Sequence, residues 1–444
     1  MDKFDVIVIG SGTSGQTAAA YLAEAGKRVA VVDREPFGGT CARCGCDPKK
    51  VLLAAAEAVA RSAALAGAGL DGVPHIDWPA LVARKRTYTD PVPQRIEAWL
   101  SGVGVELVRG QAAVTGDLEL TVGERRMSAT DLVVATGARP RPLGIPGEEL
   151  LTTSAGFMAL ATLPKRVVFA GGGYISFEFA NLARRAGASV TIIHSSERVL
   201  AGFDPWLAEK LVERYRSLGI DIRTSTALLG VRRAADSSLV LETSAGELEA
   251  DLVVHGAGRV ANVDGLGLEG LGVAVGERGV EVDERLRSLG HAHVWAIGDA
   301  ASVGLPLTPV GTRQARVAGG NILGEELRFD GSVIPSVVFC DPPFATVGVT
   351  SQVALSDPDR YRLLDNDMSD WFTQRRVGQT HAGARVVVEN RTGRIVGAHL
   401  LGINADEVIN VFALAIRAGV TRDVLEEVLW AYPTASADIR SLLA

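Results

Sequence analysis

The chain has 444 residues, is 47% hydrophobic and 22% charged, and carries a formal net charge of −7. That length allows two to four domains, and the charge gives no basic excess suited to nucleic acid or an anionic membrane surface. Four cysteines are too few for a disulfide framework, and no apolar run reaches the roughly 18 residues of a membrane span.

The N-terminus enters a strand at once, without a basic and then apolar leader, which predicts a protein of the reducing cytoplasm. In that compartment a cysteine pair is more often catalytic than structural. Residues 4–9 read as a buried strand, followed by Gly10-Ser11-Gly12-Thr13-Ser14-Gly15, a helix over 16–26 and a strand over 29–33. This is a dinucleotide-binding fingerprint. The first glycine makes the turn, the second admits a pyrophosphate, and the third lets helix and strand pack. Asp33, eighteen residues after Gly15, stands where an acid grips a ribose hydroxyl.

Next comes Gly38-Gly39-Thr40-Cys41-Ala42-Arg43-Cys44-Gly45-Cys46-Asp47-Pro48-Lys49-Lys50. Four residues, one of them glycine, separate Cys41 from Cys46, so the stretch can curl into a small ring closed by a disulfide. Pro48 suits the first turn of the helix that follows. A cysteine at a helix N-terminus near two lysines should have a lowered pKa, which predicts a reactive pair. Zinc would want about four ligands in paired spacing, whereas no histidine lies within twenty-five residues.

Residues 129–138 read as a strand ending in a glycine turn at Thr136-Gly137. Residues 166–170 begin a second fingerprint: a strand, Gly171-Gly172-Gly173-Tyr174-Ile175-Ser176, a helix through Ala186 and a strand over 190–193. Two fingerprints imply two dinucleotides and electron transfer between them. At the second strand's end stands His194, then Ser195, Ser196, Glu197 and Arg198. With no carboxylate there, a 2′-phosphate can be held, favouring NADPH over NADH; Glu197 counts mildly against. Residues 294–300 form a strand with Asp299 at its carboxyl end, either a ligand-crevice acid or a helix N-cap. After Gly331, short strands (336–339, 385–389, 395–400) precede helices over 405–418 and 421–428, an α+β pattern.

Together these features resemble the pyridine nucleotide–disulfide oxidoreductases over essentially the whole chain. Gly39-Thr40-Cys41-x4-Cys46-x-Pro48-x-Lys50 is the most telling stretch. Gly10-x-Gly12-x-x-Gly15, Ala135-Thr136-Gly137 and Ala296-Ile297-Gly298-Asp299 are similar to the family's FAD sites, and Gly171-x-Gly173-Tyr174-Ile175-x-x-Glu178 to its nicotinamide-nucleotide site. The resemblance implies an α/β fold with an FAD domain (1–147 and 263–331), an NAD(P)H domain (148–262) and an α+β dimerisation domain (332–444). Thr13, Ser14, Thr40 and Gly258 join the implied cofactor contacts. Electrons would pass from NADPH through FAD to a Cys41–Cys46 disulfide. Cys46 would be the thiolate facing the flavin, and Cys41 would attack substrate. A lysine, Lys49 or Lys50, would pair with Glu178 in a homodimer that shares its active site.

Two departures stand out. The family's disulfide reductases carry His-Pro-Thr near the C-terminus, with a glutamate five residues after the histidine, as a proton shuttle lent by the partner subunit. Here Tyr432 and Ala437 occupy those positions, and Asp438 is one residue off. Model tyrosine titrates about 3.5 units above histidine, on the order of 5 kcal/mol against acting as a base near neutrality. Second, Arg43-Cys44 stands where relatives usually carry Asn-Val. Cys44 is either a small filler or a third thiol for a soft metal or a mixed disulfide. Arg43 should favour thiolates beside it. Cys340 reads as buried and inert. The expected function is reduction of a low-molecular-weight disulfide. The alternatives are a non-disulfide acceptor such as mercuric ion or a quinone, and a dihydrolipoyl dehydrogenase-like component.

Overall fold

Val6, Ile7 and Val8 are wholly buried, because the strand Asp2–Ile9 lies inside a parallel sheet covered on both faces. The computed structural model describes residues 1–444 and divides into two units. The first comprises Met1–Lys50, Ala83–Arg141 and Arg259–Gly331; the second comprises Val51–Val82, Pro142–Gly258 and Ser332–Ala444.

In the first unit, Glu106–Arg109, Val29–Asp33, Asp2–Ile9 and Arg125–Val134 are neighbours in that order, all parallel. Arg125–Val134 starts earlier than the sequence predicts, because its first residues pair antiparallel with Glu119–Val122 in a meander. Its last residues pair parallel with Val294–Ala296. Three strand ends, those of Asp2–Ile9, Arg125–Val134 and Val294–Ala296, thus open side by side. Helix Thr13–Glu24 packs on helix Thr308–Ile322 through small residues. A Cβ on Gly311 would stand 2.2 Å from Ser14 Oγ, and one on Gly319 2.7 Å from the Tyr21 ring. Larger side chains there would drive the helices apart.

In the second unit, Asp221–Arg223, Ser189–Ile193, Arg166–Ala170 and Leu252–His255 form a parallel sheet. A separate antiparallel sheet joins Leu228–Arg233, Leu239–Thr243 and Gly246–Ala250. The C-terminal part is a five-stranded antiparallel sheet backed by helix Ala405–Ala418. That helix buries Ala405, Val408, Ile409, Phe412 and Ala415, the spacing of a single helical face. No helix is long and apolar enough to cross a membrane.

Candidate active site

The first fingerprint is built by backbone contact. Gly10 has φ +107°, and a Cβ on it would fall 2.3 Å from the Ala135 carbonyl oxygen; a Cβ on Gly15 would fall 1.9 Å from that of Gly10. Only glycine lets the loop lie on both strand ends and the helix lie on the loop. Gly12 caps helix Thr13–Glu24 without a side-chain bond, so the first-turn N–H groups, from Thr13 and Ser14 on, remain as donors for an anion. Asp33 Oδ2 accepts the Ser11 N–H at 2.8 Å and the Ser11 hydroxyl at 2.7 Å. The Gly38 N–H in turn reaches Ser11 Oγ at 3.1 Å. A Cβ on Gly39 would meet Gly12 Cα at 2.3 Å. The nucleotide loop and the cysteine stretch are therefore in direct contact.

Two polar groups at the adjacent strand ends fit a polar ligand. Thr136 Oγ1, beside the Gly137 turn, is buried without a hydrogen-bond partner. Asp299 caps no helix, which removes its N-cap reading, and burial pushes its carboxyl pKa up against the opposing charge of Arg259. An FAD-type ligand with ribose and ribityl hydroxyls matches both.

The cysteine stretch is more helical than an open ring. Gly39–Cys44 forms a short helix after left-handed Gly38, and Cys46–Ala64 forms a long one. Gly45 separates them, and a Cβ there would lie 2.8 Å from the Thr40 carbonyl oxygen and 3.1 Å from Cys41 Cα. This close turn brings the start of the second helix back onto Cys41. All four cysteines are free thiols, and those of Cys41 and Cys46 are hydrogen-bonded to each other.

That bond separates their titrations. It is the main cause pushing Cys41 up, with burial adding to it. It is also the main cause bringing Cys46 down to about 6, helped against burial by the Lys49 charge and by Thr308. Cys46 opens its helix, where the dipole also favours a thiolate. Two neighbours went unread in the sequence. Thr308 Oγ1 donates to Cys41 Sγ at 3.1 Å, and Cys41 Sγ donates to Asp47 Oδ1 at 3.9 Å. A threonine before a proline at a helix start was the only signal for the first. An acid inside the motif itself was the signal for the second.

Arg43 favours the thiolate of the neighbouring Cys44, as expected of a charge beside the thiols. Its stem packs over Gly38, and its charge acts on Cys44, together with those of Arg259, Glu35 and Lys85. Burial pushes the Cys44 thiol up. No group of three or more His, Cys, Asp or Glu side chains is placed to hold a metal ion. Cys340 is buried, with its thiol pushed well up by that burial.

In the second unit, Gly171 (φ +116°) lies against Gly256, where a Cβ would stand 2.3 Å from the carbonyl oxygen. Gly173 caps helix Tyr174–Arg185 without a side-chain bond, again leaving first-turn donors. Tyr174 is exposed and Ile175 half-buried. Ser176 is fully buried, with its hydroxyl 2.2 Å from where a Gly256 Cβ would stand. His194 Nδ1 accepts the Gly172 N–H at 3.1 Å, so Nε2 carries the proton and donates to the Arg198 carbonyl at 3.1 Å. Both ring nitrogens are thereby used within the chain. The side chains of Ser195 and Arg198, from the same group expected to face a 2′-phosphate, are exposed. Glu178 is fully buried and accepts the Phe339 N–H at 2.8 Å. Gly258 (φ +108°) is the last residue of its segment in this unit, and Lys49 and Lys50 lie early in helix Cys46–Ala64.

Near the C-terminus Tyr432 is 81% exposed. Thr434 caps the turn Ala435–Asp438 by accepting the Ala437 N–H. Asp438 accepts a short hydrogen bond from the Thr373 hydroxyl, and burial pushes its pKa up. Its carboxyl is thus engaged in holding the turn.

Comparison with known proteins shows the family of this chain. The family profile described as pyridine nucleotide-disulphide oxidoreductase matches residues 4–315, and that family's dimerisation domain matches residues 334–442. A glutathione reductase of Burkholderia cepacia is 32% identical over 445 residues, covering 99% of this chain and 98% of that protein. A dihydrolipoyl dehydrogenase of Chlamydia pneumoniae is 31% identical over 441 residues, covering 98% and 95%. Among solved structures, the Cu(II) complex of the HOCl-induced flavoprotein disulfide reductase RclA from Escherichia coli superposes with a TM-score of 0.90. It shares 26% identity and covers 100% of this chain and 99% of its own.

Proposed function

We propose that this chain, which belongs to the pyridine nucleotide-disulphide oxidoreductase family, is an NADPH-dependent, FAD-containing reductase of a low-molecular-weight disulfide. The observation that carries this reading is the hydrogen-bonded Cys41–Cys46 pair, with one thiol lowered to about 6 and its neighbour raised.

FAD fits Gly10, Gly12, Thr13, Ser14, Gly15, Asp33, Thr40, Thr136, Gly137 and Asp299. Thr136 supplies a buried hydroxyl that the chain alone does not satisfy, and Asp299 a half-buried carboxyl that caps no helix. NADPH fits Gly171, Gly173, Tyr174 and Ile175, with Ser195 and Arg198 toward its 2′-phosphate. The absence of a strand-end carboxylate at His194 favours NADPH over NADH and weighs against a dihydrolipoyl dehydrogenase. When bound, these two dinucleotides supply hydride transfer and two-electron reduction of a disulfide.

The chain's own residues then do the sulfur chemistry. The reduced pair holds Cys46 as a thiolate, stabilised by Lys49 and the helix N-terminus, and Cys41 as a thiol. Cys41, once deprotonated, attacks the substrate disulfide, forming a mixed disulfide and expelling one thiolate. Cys46 attacks the Cys41 sulfur, expels the second thiolate and closes the Cys41–Cys46 bond. Tyr432, exposed in the single subunit, is available to donate a hydrogen bond across a dimer.

Purified protein should carry flavin and oxidise NADPH with small disulfides, and Cys41→Ser should abolish that turnover. Turnover of quinones alone, surviving the substitution, would refute the reading. A second reading, reduction of a soft metal ion, is favoured by the Cu(II) complex of the solved relative. Cupric-ion reduction exceeding that of every disulfide would select it.

A further inference from the structure

Cys41 must lose a proton to attack, and a leaving thiolate must gain one, yet the C-terminal segment offers no histidine to carry it. The groups around Cys41 Sγ narrow the choice. The Thr308 hydroxyl donates to this sulfur at 3.1 Å and does not take its proton. Cys46 is the other hydrogen-bond partner, but protonating it would quench the thiolate that the second step requires. Asp438, the first acid after Tyr432 in sequence, is engaged by Thr373. Asp47 remains: its Oδ1 accepts from Cys41 Sγ at 3.9 Å, and its side chain is exposed to solvent. Gly45 makes this approach possible by turning the helix start back onto Cys41.

We propose that Asp47 is a catalytic residue, the proton shuttle between Cys41 and the leaving thiol, acting within one subunit. This rests on the disulfide-reductase reading above. In the first step the Cys41 S–H bond breaks and its proton passes to the Asp47 carboxylate. The Cys41 sulfur then bonds to one substrate sulfur as the substrate S–S bond breaks. The departing thiolate takes the proton from the Asp47 carboxyl and leaves as a thiol. In the second step Cys46 closes the internal disulfide, and the second thiolate takes its proton from solvent. The sum is two electrons from the dithiol to the substrate, with one solvent proton consumed. A carboxylate ordinarily titrates about five units below a thiol, so it holds the proton briefly and releases it readily to a thiolate. A contact of 3.9 Å is long, as catalytic contacts often are before substrate binds.

The test uses the reduced holoenzyme and two readouts. Iodoacetamide alkylation of Cys41, followed by peptide mass spectrometry against pH, reads the thiol itself. Steady-state NADPH oxidation with a small neutral disulfide reads turnover. Asp47 raises the Cys41 pKa by its charge, so Asp47→Asn should speed alkylation at pH 7 while lowering disulfide kcat about 100-fold. Asp47→Glu should restore most of that loss. Opposite movement of the two readouts is the signature, since a carboxylate that only repels charge would make both rise. Both rising, or an unchanged kcat, overturns the shuttle. If Asp47→Asn does not fold, Asp47→Ala with formate takes its place: restored turnover supports the shuttle, and no restoration overturns it. A wild type that reduces no disulfide overturns the parent reading and the shuttle with it, whereas a fully active Asp47→Asn overturns the shuttle alone.

Discussion

Thr308 Oγ1 donates a 3.1 Å hydrogen bond to Cys41 Sγ across 267 residues of sequence. The hydroxyl lowers the pKa of both paired thiols. Thr308→Val keeps the shape and removes the donor, and hydrogen bonds to charged groups are worth about 1.5–3 kcal/mol. The alkylation midpoint of Cys46 should therefore rise by about one to two units, with Thr308→Ser near wild type. An unmoved midpoint would show that the hydroxyl serves packing only.

The lowered Cys46 pKa sets a pH window. The thiolate is present above about 6 and is lost as pH falls through that value. Disulfide kcat/KM should accordingly fall on the acid side with an apparent pKa near 6. Lys49→Met removes a charge that lowers this pKa, so the limb should move to higher pH. A profile flat from pH 5 to 8 would contradict the assignment.

His194 and Arg198 should behave differently toward the two nicotinamide nucleotides. Arg198→Ala should raise KM for NADPH about tenfold, equivalent to about 1.4 kcal/mol, and leave NADH unchanged. His194→Ala frees the Gly172 N–H and loosens the loop, so it should weaken both nucleotides alike. A selective NADPH effect in His194→Ala would return the imidazole to the phosphate.

Gly39→Ala should separate the nucleotide loop from the cysteine helix. Gly39 has φ +66°, and an added Cβ would stand 2.3 Å from Gly12 Cα, backbone that cannot swing aside. The left-handed strain alone is about 1–3 kcal/mol. The variant should purify with less flavin, measured as the ratio of absorbance at about 450 and 280 nm. Gly123→Ala, also at positive φ (+60°) but with nothing within 4 Å, is the matched control and should retain its flavin.

Much of this protein was legible because its signals are local. Each glycine loop, its flanking strands and the residue ending the second strand lie within about thirty residues. Their physics is short-range: turns that need positive φ, and helix ends that need an uncapped approach. The same holds for the cysteine pair, whose spacing and helix start lie within one short segment. Strand limits were less legible. Arg125–Val134 begins where it does because Glu119–Val122 pairs with it, and pairing is not encoded in one strand alone.

What the amino-acid order determined by itself was the class of chemistry: two nucleotide loops, a thiol pair poised at a helix start, and the absence of a C-terminal histidine. What only the tertiary structure decided was which groups touch each sulfur and each ring nitrogen. Thr308 reaches Cys41 from a distant segment, Asp47 accepts from the same sulfur, and His194 is taken up by Gly172. Side-chain direction follows from packing against chain that is far away in sequence, and hydrogen bonds depend on direction at the scale of a few tenths of an ångström. Spacing along the chain does not carry that information.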